Sequence, residues 1–295
     1  MQGLLLLNKP QGLTSFSAVA RLRYLAKEKR VGHTGTLDPM ATGVLPVFFG
    51  RATALSGLLL DQDKRYVAEI KLGLTTDTDD ITGKILTEKA VNITNTQLES
   101  ALKYFTGKIS QIPPMYSAIK KDGVRLYELA RKGKSVEITP REVEIYEMRL
   151  LSGLDENYSF KIEVSVSKGT YIRSLARDIG EYLGCGATLK GLERSYAAGF
   201  DIENCVKLED LNEDNISEYI ISEENAVVGL DKINVTEKQA VRFCNGGQLG
   251  FDRLKNADFS QGQLLRVKHN DLLLGIGYAD CQNQQVAIKC ILNYL

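Results

Sequence analysis

Apolar residues recur along the chain with two periods, one typical of strands and one typical of helices. Residues 3–7 (GLLLL) are uniformly apolar up to a break at Pro10 and Gly12, which predicts a short buried strand. Residues 65–72 and 160–166 alternate between polar and apolar positions, as strands with one buried face do. The pattern therefore predicts a sheet formed by segments that are far apart in the chain.

Two helices are predicted from apolar positions spaced three and four residues apart. The first follows an N-cap at Thr14 or Ser15, and the second runs from about Tyr171 to Leu183. The apolar side of the first helix comprises four residues: Phe16, Val19, Leu22 and Ala26. Strands and helices mix without a regular strand–helix–strand rhythm, which favours an α+β fold over a doubly wound parallel sheet.

A central loop and a smaller C-terminal unit complete the predicted organisation. Residues 31–46 (VGHTGTLDPMATGVLP) are rich in glycine and contain two prolines, which predicts a loop rather than a strand or helix. Beyond about residue 231, four segments are typical of short strands: RFCNGGQLG, QLLRVKHN, LLLGIGYAD and QVAIKCIL. Because 295 residues exceed the usual size of one core, we expect a domain at 1–229 and a small β domain at 230–295.

The charged residues are distributed unevenly, although 37 basic and 37 acidic residues cancel overall. Residues 1–60 carry seven basic and two acidic residues, and residues 108–134 carry the same numbers. Residues 201–230 carry nine acidic residues against the single base Lys207. Two basic blocks apart from an acidic one fit a surface that grips a phosphate backbone, although solvated surfaces explain the charges equally well.

Composition argues against several kinds of site. The N-terminal apolar run ends at Lys9, far short of the roughly 20 residues of a membrane span, and no signal peptide is indicated, so we expect a cytoplasmic protein. The five cysteines are scattered and never form a C-x-x-C pair, which argues against disulfides and zinc. With only His33 and His269 as histidines, we expect no metal and no cofactor.

Three segments contain residue types that chemistry on RNA requires. Asp38 lies in a loop of small residues that lets another chain approach closely. Tyr66 follows two cations, a combination that stacks on a base and holds its phosphate. Tyr171 and Arg173 lie at a predicted helix N-terminus, where the helix dipole favours anions. Each segment taken alone is more typical of a turn, a core or a solvated surface.

Together these segments resemble the TruB family, the tRNA pseudouridine-55 synthases, over nearly the whole chain. Six blocks carry the resemblance in the family's order: NKPQGLTS (8–15), VGHTGTLDPMATGVLPV (31–47), KRYVAEIKLGLTTDTDD (64–80), GKISQIPPMYSAIKKDGVRLYELAR (107–131), SKGTYIRSLARDIGEYLG (167–184) and LERSYAAGF (192–200). The GHTGTLDPMATG segment is highly specific to the family. One departure is Glu193, which stands where the family commonly has the first arginine of Leu-Arg-Arg.

The resemblance implies one catalytic residue, Asp38, and assigns Arg173 and Tyr66 to the substrate-binding group. The family's catalytic aspartate falls on Asp38, and the arginine that pairs with it falls on Arg173. Tyr66 falls on the tyrosine that stacks on the target base and is also a candidate general base. A phenol has an ordinary pKa of about 10 and is a poor base near neutral pH, so stacking is the favoured role.

Four further residues acquire substrate-binding roles from the resemblance. Tyr171 and Leu192 fall on positions that line the pocket, and His33 falls on a position that occupies space vacated by flipped bases. Lys9, in the first block, is assigned to the same substrate-binding group.

The implied reaction converts the uridine at position 55 in the T-arm of tRNA to pseudouridine by base flipping and Asp-dependent cleavage of the glycosidic bond. Residues 108–134 fall on a thumb-like RNA-binding insertion, and residues 230–295 on a PUA-like RNA-binding domain. The compact length favours a stand-alone monomer that uses no guide RNA over the guide-RNA-dependent branch. The alternative from another class is a catalytically silent RNA-binding protein on the same scaffold.

Overall fold

A computed structural model describes residues 1–59, 62–117, 119–121, 123–133, 136–255 and 258–295 of the chain. Its strands are β1 (Gly3–Lys9), β2 (Val31–His33), β3 (Thr42–Phe49), β4 (Lys64–Leu72), β5 (Leu74–Thr76), β6 (Ile85–Glu88), β7 (Gly107–Gln111), β8 (Lys120–Lys121), β9 (Val124–Arg125), β10 (Arg141–Ser152), β11 (Ser159–Val166), β12 (Ala187–Ala197), β13 (Phe200–Asp201), β14 (Val206–Lys207), β15 (Asp231–Asn234), β16 (Leu249–Gly250), β17 (Leu264–His269), β18 (Leu272–Asp280) and β19 (Gln285–Ile291). Its α-helices are α1 (Ser15–Leu25), α2 (Asn95–Tyr104), α3 (Leu126–Arg131), α4 (Ile172–Tyr182) and α5 (Glu237–Cys244).

A 10-stranded sheet forms the body of the protein, in the order β14-β1-β3-β12-β4-β11-β10-β7, with β2 and β13 paired at its side. β12 is parallel to β3 but antiparallel to β4, so the sheet is mixed. The α+β prediction is therefore confirmed. β12 lies between β3, which pairs with β1, and β4, which pairs with β11. It therefore occupies the centre of the sheet.

The helix after the first strand begins as expected but buries a different face. Thr14 is its N-cap, and its side chain accepts a hydrogen bond from the Ser17 backbone N–H at 2.9 Å. The prediction that Phe16 is buried is wrong, because this side chain is 71% exposed. Ser15 takes a buried position instead, since its hydroxyl bonds to the backbone of Leu37. With about 100° between successive residues of a helix, this turns Phe16 to the surface.

The segment predicted as one loop at residues 31–46 contains a strand at each end, so the prediction is wrong for β2 and for the start of β3. Val44 and its neighbours up to Phe49 are fully buried, which favours a strand over a loop. Pro46 lies between the β12 pairing at Thr42 and Gly43 and the β2 pairing that starts at Val47. A proline, which lacks an N–H group, is tolerated at such an unpaired stretch of strand edge.

The C-terminal unit is a five-stranded sheet in the order β15-β17-β18-β19-β16. Three of the four predicted strands are confirmed as β17, β18 and β19. The strand prediction for RFCNGGQLG is wrong for its first residues, which belong to α5. The cause is a capping box: the Thr236 hydroxyl accepts from the Gln239 backbone N–H, and the Gln239 side chain accepts from the Thr236 N–H.

Alternate residues of β1 belong to two different cores. Leu5 and Leu7 are buried in the main core beneath the sheet. Leu4 and Leu6 belong to a second core, which also contains three residues of the C-terminal unit: Leu273, Ile276 and Leu292. This shared core explains why the run GLLLL is apolar at every position, and it packs the C-terminal unit against the 10-stranded sheet.

The basic block at 108–134 begins within β7, at the edge of the main sheet, and its described elements after β7 lie outside that sheet. A small hairpin of β8 and β9 is followed by α3, and Lys120, Lys121 and Lys132 are exposed. Two charged residues counted in this basic block, Asp122 and Lys134, lie outside the described residues. Within the described ranges, we find no helix long and apolar enough to cross a membrane.

Candidate active site

Asp38 lies in the loop between β2 and β3. Hydrogen bonds hold the backbone of this loop at the residues on either side of Asp38. The Ser15 hydroxyl accepts a hydrogen bond from Leu37 N–H at 2.9 Å and lies 3.1 Å from Leu37 O. The Gly12 N–H donates to Pro39 O at 2.8 Å. Contacts from both neighbouring residues therefore hold the position from which the Asp38 side chain extends.

The side chain of Asp38 forms a two-point ion pair with Arg173, the second residue of α4. Arg173 Nε lies 2.8 Å from Asp38 Oδ2, and Arg173 Nη2 donates to Asp38 Oδ1 at 3.2 Å. The Arg173 side chain is 6% exposed, whereas that of Asp38 is 35% exposed. The carboxylate is thus oriented from within the protein and is open to a ligand on its other side.

Arg173 is itself held by the backbone of two other segments. Its Nη1 donates to Thr78 O at 3.1 Å, and its Nη2 donates to Tyr116 O at 2.9 Å. Asp80 is buried 4.0 Å from Nη1, and its Oδ1 accepts hydrogen bonds from the hydroxyls of Thr78 and Thr82. The guanidinium therefore has one orientation in which all these partners are satisfied.

Burial raises the pKa of Asp38 above its ordinary value of 3.8. The positive charge of Arg173 opposes this shift, the negative charge of Asp80 adds to it, and Lys9 lowers the pKa again. Burial thus disfavours the charged form of the Asp38 carboxylate, and the two cations favour it. Such opposing effects on a pKa are typical of functional sites.

Lys9 lies at the end of β1 and is fully enclosed. Its ammonium donates to Pro10 O at 2.8 Å and to Leu13 O at 2.7 Å, within the loop that leads into α1. Burial is the main cause that lowers the pKa of Lys9 to about 8; Asp38 opposes this shift, and the positive charge of Arg194 adds to it. The structure therefore places Lys9 near the carboxylate, with its ammonium bonded to backbone carbonyls.

Three residues predicted to line the pocket come from three elements, β4, β12 and α4. Tyr66 on β4 is 8% exposed, and Leu192 on β12 is partly buried two residues before Arg194, the register partner of Tyr66. Tyr171, the N-cap residue of α4, is fixed through its backbone by the Gln111 side chain at 2.8 and 3.1 Å. Burial raises the pKa of the Tyr171 hydroxyl.

His33 is the last residue of β2 and precedes the loop that carries Asp38. Burial and the nearby positive charge of Arg194 lower its pKa, so its neutral form is favoured. Its Nδ1 is buried and has no hydrogen-bond partner in the parts of the chain that the structure describes. A neutral imidazole is suited to filling space beside bases rather than to binding phosphate.

Sequence reasoning missed three residues that support the site. The sequence suggests Ser15 only as a possible helix N-cap and Asp80 only as part of a matching block, although Ser15 holds Leu37 and Asp80 lies beside Arg173. Arg194 has no predicted role, yet it is 1% exposed in the middle of the sheet. Its neighbour Glu193, the departure from the family pattern, is exposed. The same strand also contains Lys190 and Glu193, so no local signal in the sequence singled out Arg194.

Comparisons with known proteins identify the family of the chain. Residues 23–172 match the TruB family pseudouridylate synthase (N terminal domain), and residues 173–232 match the tRNA pseudouridylate synthase B C-terminal domain. A protein of Clostridium tetani named tRNA pseudouridine synthase B is 45% identical over 94% of this chain and 95% of its own. One of the same name from Francisella philomiragia is 49% identical over 75% of this chain and 74% of its own.

Solved structures show the same fold. A crystal structure of a Cbf5-Nop10-Gar1 complex contains a chain that is similar with a TM-score of 0.77 and 28% identity, and the match covers 99% of this chain and 85% of that one. This supports the mixed-sheet domain with its C-terminal β-rich, PUA-like unit. With the two matching domains, the curated relatives and the shared fold, the chain belongs to the TruB family of pseudouridylate synthases.

Proposed function

We propose that this protein converts the uridine at position 55 in the T-arm of tRNA to pseudouridine, with Asp38 as its catalytic carboxylate. One observation carries the assignment: a partly exposed carboxylate held at two points by a buried arginine, in a chain of this family. The relatives named tRNA pseudouridine synthase B supply the substrate class.

The reaction replaces the bond between N1 and the sugar C1′ with a bond between C5 and C1′. Uracil detaches, turns and rejoins, one proton leaves C5 and one is taken up at N1, so no outside oxidant or reductant is consumed. Asp38 either attacks the nucleoside covalently or assists cleavage of the glycosidic bond. Arg173 keeps the carboxylate ionised and aimed at the nucleoside.

Extracting a stacked uridine costs about a few kcal/mol, which apolar and aromatic surfaces in the pocket offset. Tyr66, Tyr171 and Leu192 form the receiving surface in our proposal, and neutral His33 fills the space that the flipped base leaves. Lys9 contributes its charge from below the loop.

Binding of the RNA uses surfaces outside the pocket. We assign a thumb-like RNA-binding role to residues 108–134 and an RNA-binding role to residues 230–295, with the catalytic domain at 1–229. We further propose that the protein acts as a monomer without a guide RNA, as its similarity to relatives named tRNA pseudouridine synthase B over most of their length supports. As a tRNA-modifying enzyme, it works in the cytoplasm.

The decisive experiment is incubation with unmodified tRNA followed by position-resolved mapping of pseudouridine. We expect one new pseudouridine at the T-arm position. Absence of any pseudouridine with folded protein and tight tRNA binding would instead support the silent RNA-binding alternative, which the family assignment and the intact Asp38–Arg173 pair do not favour.

Replacing Lys120, Lys121 and Lys132 together by Gln should weaken tRNA binding and flatten its salt dependence. Each lost phosphate contact reduces the slope of log affinity against log salt by about 0.7–0.9. Filter binding at several salt concentrations measures this slope. Three exposed lysines outside the segment serve as the matched control, and their replacement should leave the slope nearly unchanged: Lys84, Lys89 and Lys103. An unchanged slope in the first variant would show that residues 108–134 do not contact RNA.

Tyr66→Leu should lower the rate of pseudouridine formation at least about tenfold, because it removes the aromatic face that stacks on the base. Stacking contributes about 1–3 kcal/mol per base. Tyr66→Phe keeps the ring but lacks the hydroxyl. The difference between its rate and that of wild type measures the contribution of the hydroxyl to the reaction. Single-turnover rates at saturating enzyme provide the comparison. A Tyr66→Leu variant with the wild-type rate would contradict the proposal that Tyr66 stacks on the target base.

A further inference from the structure

Arg194 on β12 is a fully buried cation. Its side chain is among the largest that are fully buried, and within the described ranges no carboxylate lies within ion-pair distance of it. Its guanidinium donates instead to two backbone carbonyls, Val44 O at 2.8 Å from Nε and Gly35 O at 2.9 Å from Nη2. Burying a charge costs free energy of desolvation, which only pairing and hydrogen bonds offset. The contacts with these two carbonyls therefore hold the guanidinium in place.

Both carbonyls belong to the base of the catalytic loop. Gly35 precedes Asp38 by three residues, and Val44 follows it by six, at the start of β3. One side chain therefore bridges the two ends of the segment that carries the carboxylate. Ser15 fastens the same segment from the opposite side, at Leu37.

The glycines of the loop permit this close approach. A Cβ atom at Gly43 would lie 2.3 Å from Arg194 O, and one at Gly35 would lie 3.1 Å from Arg194 Nη1. Both residues also have positive φ angles, +104° and +73°. The backbone of Arg194 is in register with Gly43 on β3 and with Tyr66 on β4. The same residue thus connects the Asp38 loop with the strand of the stacking tyrosine.

We propose that Arg194 is a positioning residue that closes the base of the catalytic loop and thereby sets Asp38 against Arg173. This rests on the proposed function for its kinetic readout. Lysine in its place keeps a charge but offers one nitrogen where Arg194 uses two, Nε for Val44 O and Nη2 for Gly35 O, so it cannot reproduce both contacts. A small displacement of Asp38 then lowers the rate without removing any contact with the RNA.

For Arg194→Lys we expect the single-turnover rate of pseudouridine formation to fall about a hundredfold, with the Kd for tRNA within about threefold of wild type. The acid limb of the rate profile should move to higher pH, because a looser Arg173 contact no longer lowers the pKa of Asp38 as strongly. A crystal structure of the variant should show the distance of 2.8 Å between Arg173 Nε and Asp38 Oδ2 lengthened.

Two further variants keep the test decisive. In Gly35→Ala, the added Cβ atom crowds the Arg194 guanidinium, so this variant should show the same loss of rate. The double variant Gly35→Ala, Arg194→Lys should be little slower than either single variant, because both changes disturb the same contact. Ile70→Ala, in the core on β4, controls for lost stability and should keep the acid limb in place.

Additive losses in the double variant, or a rate loss with an unmoved acid limb as in Ile70→Ala, would overturn the inference. An active wild type with an equally active Arg194→Lys variant would overturn it as well. A wild type that makes no pseudouridine contradicts the proposed function instead, and the crystallographic distance still tests the positioning role.

Discussion

Asp38→Asn is expected to abolish pseudouridine formation, with a loss on the order of 10⁴-fold or more, as for other removed nucleophiles. Asparagine is nearly the same size but lacks the negative charge and the nucleophilic oxygen. It also turns an N–H group towards the Arg173 guanidinium, which is itself only a donor. Single-turnover assays with tRNA labelled at the target uridine measure the loss.

Affinity for tRNA separates this catalytic effect from a binding effect. Because the substitution removes a negative charge beside RNA, the Kd should stay the same or decrease slightly. Asp210→Asn, which neutralises an exposed carboxylate of the acidic segment, is the matched control and should keep the wild-type rate. Turnover by Asp38→Asn close to that of wild type would remove Asp38 as the catalytic group and favour the RNA-binding alternative.

The periodicity of apolar residues predicts those helices and strands whose buried face is determined by residues close in sequence. The helix from Ile172 and the strand Leu272–Asp280 lie where the pattern predicts them. The pattern failed where one polar contact outweighs apolar spacing. Ser15 is buried because of its bond to Leu37, 22 residues away, so Phe16 is turned outwards. A capping box at Thr236 likewise changed a predicted strand into a helix.

The site could be predicted only through the family resemblance, because its contacts join distant parts of the chain. Asp38 and Arg173 are separated by 135 residues, and no local pattern relates them. The two carbonyl contacts of Arg194 span 150 and 159 residues. The resemblance identified residues that face the substrate, whereas the residues that support them from within the fold required the structure.

Arg173→Lys is expected to lower the rate of pseudouridine formation by about 10²-fold or more, although it preserves the positive charge. The guanidinium makes two contacts with Asp38 and donates to Thr78 O and Tyr116 O. An ammonium cannot reach all four acceptors, and each buried acceptor left without a donor costs about 1–3 kcal/mol of stability. Single-turnover rates and denaturant unfolding measure the two effects separately.

The pH profile identifies the origin of that loss. Asp38 acts when ionised, and burial already raises its pKa, so the rate should fall as the pH decreases through a value above that of an exposed aspartate. Loss of the two-point contact removes part of the opposing effect of Arg173, and the acid limb should move further up in pH. Arg177→Lys, one turn along α4, disturbs pairs with Asp79 and Asp178 but none with Asp38, and its acid limb should stay in place. Equal shifts in both variants would mean that the fold of α4, rather than the contact with Asp38, controls the rate.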